Sequence, residues 1–202
     1  MTATLDTLLA WAHSHPALTL GFVFVFGFFE YVFIVGIFLP AIPVMWSLGA
    51  LCSLGALEFW PTLGLAALGA LSGDTLGFFL GRHYGEKLFA RRFFRERPGL
   101  LDRGRRFFQR HGGKGVITAH YLGPLRSLLP ALAGAYGMRL PVFIGAAATG
   151  AMFWALGYLL PGLVLGASPG LAAEVTKRPA GRVLSVLIAL GAPLLSALLS
   201  LV

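Results

Sequence analysis

Charge is what this sequence has least of. Asp, Glu, Lys and Arg make up 12% of its 202 residues, about half the share of an ordinary soluble domain. A hydrated surface all round is therefore excluded. Cysteine is nearly absent: the single Cys52 lies in an apolar run, which rules out an intrachain disulfide and leaves the redox compartment unread. Met1 to His15 carries no positive charge, and no A-x-A-like site follows a short apolar core, so no removable signal peptide is expected. His13 and His15 lack further ligands at helical spacing and are read as solvated; neither a metal nor a cofactor is expected.

What is present is hydrocarbon. With 57% hydrophobic residues and a mean hydropathy of +0.80, the chain reads as an all-α polytopic membrane protein. Its net charge of +8 sits wholly between Arg82 and Lys114, where eleven basic residues face three acids. The positive-inside rule makes that loop cytoplasmic and leaves Lys177, Arg178 and Arg182 outside, a local exception outweighed by the larger block. Embedding between apolar segments argues against a nucleic-acid partner. Within the block Arg91-Arg92-Phe93-Phe94 recurs as Arg105-Arg106-Phe107-Phe108. This predicts two short amphipathic helices on the inner surface, serving either anionic headgroups or topology alone.

Three regions follow from this patterning: a surface segment over 1–16, a membrane domain over 17–166 with the basic segment 82–114, and a linker with a last transmembrane helix over 167–202. Ala17 to Gly36 is long enough to span and holds Glu30 deep within it. Pro40 and Pro43 then interrupt the apolar run, and the fourteen residues Val44–Leu57 suit a re-entrant return. Trp60 and Pro61 mark an interface. Thr62 to Gly81 is a second span, with Gly69, Gly73, Gly77 and Gly81 on one close-packing face and Asp74, Phe78 and Arg82 on the neighbouring one. A second interrupted stretch lies within Gly115–Met138, where Arg126 stands between Pro124 and Pro130 with His120 upstream. Pro141 opens a further span to Gly166.

An arginine or an acid at membrane depth is costly, and broken backbone there must line protein or water. Two interrupted segments in corresponding halves point to a mid-membrane substrate site. Glu30 is either a structural, hydrogen-bonded or ion-paired acid or a carboxyl suited to proton coupling. Asp74 is likewise structural or part of the site.

The runs Gly73-Asp74-x-x-Gly77-x-x-x-Gly81-Arg82-x-x-Gly85 and Gly112-Gly113-Lys114 to Pro124-x-Arg126-x-x-x-Pro130-x-x-x-Gly134 resemble the DedA family, also called the VTT or SNARE-associated domain. Trp154-x-x-Gly157-Tyr158 is similar too, and the resemblance covers roughly Ala17 to Gly166. The ending Tyr158 to Ser168 resembles the membrane domain of bacterial proteins that fuse DedA to a lipid phosphatase. The resemblance implies an inverted-repeat fold whose two re-entrant helical hairpins enter from opposite faces and meet mid-membrane. It also implies movement of lipid, undecaprenyl phosphate or phospholipid, with two membrane acids and two arginines and often proton dependence. Glu30 matches the first acid and Arg126 the second arginine. Ile42 stands where the second acid belongs, and His120 where the first arginine belongs. Proton coupling and passive equilibration therefore both stay open.

The expected function is transport of a phosphate-headed lipid in the inner membrane, by a protein that is no enzyme. Arg126 pairs with the phosphate, His120 is a second donor, Glu30 and Asp74 bind or carry protons, and Arg82 joins the headgroup-binding set. The proline breaks supply backbone donors. A homo-oligomer is open. Two alternatives stand beside this: an accessory domain that delivers lipid to a phosphatase, and a phosphatase-type enzyme.

Overall fold

The computed structural model describes residues 14–32, 36, 39, 41–89, 106, 110, 112, 114, 116, 117 and 128–168. Among them are five helices and no strand: α1 (Pro16–Tyr31), α2 (Ala41–Ser53), α3 (Phe59–Phe89), α4 (Leu129–Ala135) and α5 (Leu140–Ala167). Two of these, α3 over Phe59–Gly85 and α5 over Leu140–Ala167, are long and apolar enough to cross a membrane. Most of the basic segment, with its two expected surface helices, lies outside the described residues, as do the proposed break residues Pro40 and Pro124.

Prolines open these helices. Pro16 is the first residue of α1, Pro43 the third of α2, Pro61 the third of α3, Pro130 the second of α4 and Pro141 the second of α5. A first-turn amide has no partner within its helix, so its loss costs nothing there. Pro161 is the exception, lying inside α5.

The first apolar run is shorter as a helix than the expected span to Gly36. At sixteen residues, α1 is about 24 Å long, less than the ~30 Å of a hydrocarbon core. The reason is local. The Val32 amide is shared between the Phe28 and Phe29 carbonyls at 3.1 and 3.2 Å, a tightening typical of a helix end. Gly36 then lies against the Glu30 backbone so closely that a Cβ there would overlap the Glu30 carbonyl. Conversely, α3 runs past the expected end at Gly81, through Arg82 and His83 to Phe89.

The two short helices end in the same way. After α2, Gly55 takes φ +77°, its amide donates to Cys52 O at 3.2 Å, and Ala56 N donates to Leu51 O at 3.0 Å. After α4, Gly137 takes φ +73°, with Gly137 N to Gly134 O at 3.1 Å and Met138 N to Ala133 O at 3.0 Å. Both are Schellman closures, which need a left-handed residue and therefore favour glycine. A short helix, a glycine stop and a long apolar helix thus occur twice.

The chain divides into two compact units, one comprising Met1–Val23, Pro40–Leu65 and Ala155–Val202, the other Phe24–Leu39 and Ala66–Trp154. In the first, α2 lies along the last turns of α5. Gly49 abuts the Leu159 carbonyl, Gly162 abuts the Trp46 backbone, and Gly166 abuts Ala50 and Ser53. Residue numbers rise together across the contact, so these helices run parallel.

In the second unit α1 and α3 are also parallel. Gly27 meets Ala66 and Ala70, Gly69 meets Phe24 and Phe28, and Gly73 meets Phe28 and Tyr31. Further along α3, Gly77 faces Pro130, Gly81 abuts Ala131, and Gly134 abuts Phe78 and Arg82. The glycine face of α3 is therefore divided between α1 and α4. Phe78 stacks on Phe143 at 4.4 Å between centroids and 26° between planes. Around this pair Leu129, Leu132, Ala133 and Ala147 close a buried apolar core.

Candidate functional site: two buried acids beside an aromatic ladder

Depth along α3 can be read from its own side chains. Trp60 is 76% exposed near one end, and Tyr84 is 56% exposed near the other, beside the exposed Arg82 and His83. Twenty-four residues separate the two aromatics, which is about 36 Å of helix. That matches a hydrocarbon core of ~30 Å with aromatic residues at both headgroup levels. Asp74 lies ten residues before Tyr84, about 15 Å inward, close to the middle.

Glu30 lies at the same level. A Cβ on Gly73 would sit 2.5 Å from Phe28 O and 2.8 Å from Tyr31 Cβ, so the backbones on either side of Asp74 and Glu30 are in direct contact. Only glycine permits that approach. Glu30 is 0% exposed and Asp74 1%. Tyr31 and Trp154 are buried as completely, and their rings meet edge to face at 5.1 Å. The second unit thus gathers two carboxyls, a phenol and an indole within apolar helices. Carboxyls at such depth are costly as charges and persist where they are paired, protonated or used.

Arg82 stands apart from this group. Asp74, Phe78 and Arg82 follow at one-turn intervals on a single face of α3, which puts Arg82 about 12 Å from Asp74 along the axis. Its guanidinium carbon lies 6.0 Å from the centroid of the Phe78 ring. Of the other expected site residues, Arg126 and His120 lie outside the described residues. Pro43 and Pro130 are buried in the first turns of α2 and α4. Tyr31 and Phe143 carry no expectation in the sequence; adjacency to Glu30 was the available signal for the first, and the second has none.

An all-helical membrane protein with acids buried in its apolar helices is the class this arrangement defines. Residues 15–164 match the VTT domain, and the chain belongs to the VTT-domain, or DedA, family. It is 32% identical over 142 residues to the inner membrane protein YabI of Escherichia coli (strain K12), a stretch covering 70% of this chain and 56% of YabI. It is 32% identical over 152 residues to the protein DedA of Escherichia coli (strain K12), covering 73% and 68%. It is 28% identical over 166 residues to an uncharacterized membrane protein of Buchnera aphidicola subsp. Acyrthosiphon pisum (strain APS), covering 82% and 64%. The chain therefore spans between 56% and 68% of the length of these relatives. No solved structure matches it significantly.

Proposed function

We propose that this protein moves a lipid with a phosphate head, such as undecaprenyl phosphate or a phospholipid, across the inner membrane as a flippase or scramblase. The observation that carries the reading is the pair Glu30 and Asp74, both buried, with Asp74 near the middle of the membrane-length α3 and Glu30 of the shorter α1 beside it at the same level. Acids at membrane depth pair with one another or with backbone and mark proton relays and substrate paths, and two at one depth supply a place to hold and exchange protons. Arg126, with His120 beside it in sequence, contacts the phosphate, and the acyl or isoprenyl tail stays in the bilayer while the head crosses.

The helix registers support two re-entrant hairpins entering from opposite faces. The chain leaves α1 at the level of Gly73 and enters α3 at Phe59, fourteen residues earlier on that axis, about 21 Å back. The thirteen residues of α2, about 20 Å long, suit that return. Because α1 and α3 are parallel, the first hairpin enters and leaves on the side where α3 begins. Phe78 meets Phe143, while Tyr31, at the level of Gly73, meets Trp154; this register runs α5 antiparallel to α3. In the proposed arrangement the second hairpin, ending in α4, enters from the opposite, basic side. Transporters of this design keep their site where the two broken segments meet.

The test is lipid flipping in proteoliposomes together with the melting temperature of each variant. Arg126→Ala and Glu30→Gln are expected to fold yet lose flipping by about tenfold or more. Arg126→Lys keeps part of the rate, because it retains charge without the guanidinium fork. Near-normal flipping by Arg126→Ala sinks the assignment. Unfolding of both variants instead marks Glu30 and Arg126 as a structural pair.

A further inference from the structure

We propose that Arg82 captures the phosphate head of a lipid at the basic face, and that the stacked Phe78 and Phe143 rings are the barrier between that capture point and the carboxyl of Asp74. The identity of the ligand rests on the transport reading above; the barrier rests on packing alone.

Three consecutive turns of one α3 face carry an acid, an aromatic ring and a cation in order of decreasing depth. Asp74 is 1% exposed, Phe78 is 0% exposed, and Arg82 is exposed. A head moving along this face from the basic side meets Arg82 first and Phe78 next. The Phe78 ring is held by Phe143 of α5, itself fully buried, at 4.4 Å. One of the two rings has to turn before anything passes, and neither has polar atoms that would favour a phosphate within the stack.

The guanidinium of Arg82 lies within cation–π reach of Phe78. At an exposed position that contact is weak, and a charge-assisted, forked bond to phosphate exceeds it. Binding therefore draws the cation off the ring and leaves Phe78 held by its packing against Phe143 alone. The same turn is backed by α4, since Gly81 abuts the Ala131 backbone and Gly134 abuts the Phe78 carbonyl and the Arg82 amide. Backbone rests on backbone there, which seats α4, the helix that follows the Arg126 segment in the chain, directly against the turn that carries Arg82.

The two parts are tested on the full chain in vesicles, in a Cys52→Ala background. For the barrier, Asp74→Cys is labelled from the basic side with a membrane-impermeant maleimide. Labelling is expected to be slow with both rings present and about tenfold faster or more with Phe143→Ala. Phe143→Leu, which keeps more bulk and is less disturbing to the fold, gives an intermediate rate. Equal labelling with and without the Phe143 ring overturns the barrier, whether or not lipid is carried.

For capture, Arg82→Ala is expected to raise the half-saturating concentration of a fluorescent phosphate-headed lipid about tenfold, with Arg82→Lys recovering part of it. An unchanged half-saturation overturns capture by Arg82. Competition by inorganic phosphate as strong as by the lipid overturns the lipid assignment in favour of free phosphate. Absence of flipping by the wild type sinks the transport reading and capture with it, while the labelling result still decides the barrier.

Discussion

One methyl group at Gly81 tests how tightly α4 is seated on α3. A Cβ at Gly81 would lie 2.5 Å from the carbonyl carbon and 2.6 Å from the Cα of Ala131. Carbon atoms pack favourably at about 3.5–4.0 Å, so α4 must retreat by about 1 Å. Both colliding atoms are backbone, and no side chain can swing aside. Retreat also parts Gly134 from Phe78 and Arg82. Overpacking of this kind costs ~1–3 kcal/mol, set against a gain of ~1 kcal/mol from replacing glycine by alanine within a helix. Two other glycines of α3 calibrate the measurement. At Gly64 an added Cβ meets nothing within 4 Å, and at Gly77 it meets only the Pro130 Cβ at 3.3 Å. The expected order of stability is Gly64→Ala above Gly77→Ala above Gly81→Ala. The first and last should differ by ~1–3 kcal/mol, at about 2–4 °C of melting temperature per kcal/mol for a chain of this size. Thermal unfolding in detergent, followed by fluorescence-detected size exclusion, reads this directly. A Gly81→Ala variant that melts with Gly64→Ala refutes the close seating of α4.

Other outcomes follow from the same contacts. Trp154→Ala empties a fully buried site against Tyr31 and should lose ~3–5 kcal/mol, whereas Trp154→Phe keeps an aromatic edge there; equal losses on melting would count against the ring contact. Gly137→Ala forces alanine into the left-handed region at φ +73°, a loss of ~1–2 kcal/mol, while Gly145→Ala, which meets open space, should be neutral or stabilising by the same melt. Single cysteines at Arg95 and Ala172 should label from opposite sides of the membrane, and labelling of both from one side breaks the proposed topology.

The sequence carries the solvent preference of this protein and little about its contacts. Low charge, high hydropathy and a +8 block confined to one segment are properties of residues taken singly, so they identify a membrane chain before any fold is drawn, while the resemblance to its family rests on the spaced motifs Gly73 to Gly85 and Gly112 to Gly134. The four-residue spacing of Gly69, Gly73, Gly77 and Gly81 says that one face of α3 is small, because helical periodicity is local. That α1 fills the first half of this face and α4 the second is a matter of register between distant segments. The same holds for Glu30 and Asp74: each is visible as an acid in an apolar run, but their common depth comes from the contact of Gly73 with Tyr31. Helices apolar on every side carry no stripe to say which neighbour each face meets. The stacking of Phe78 on Phe143 and the contact of Tyr31 with Trp154 were therefore decided by tertiary packing, where backbone-to-backbone fit selects partners that hydrophobicity alone leaves equivalent.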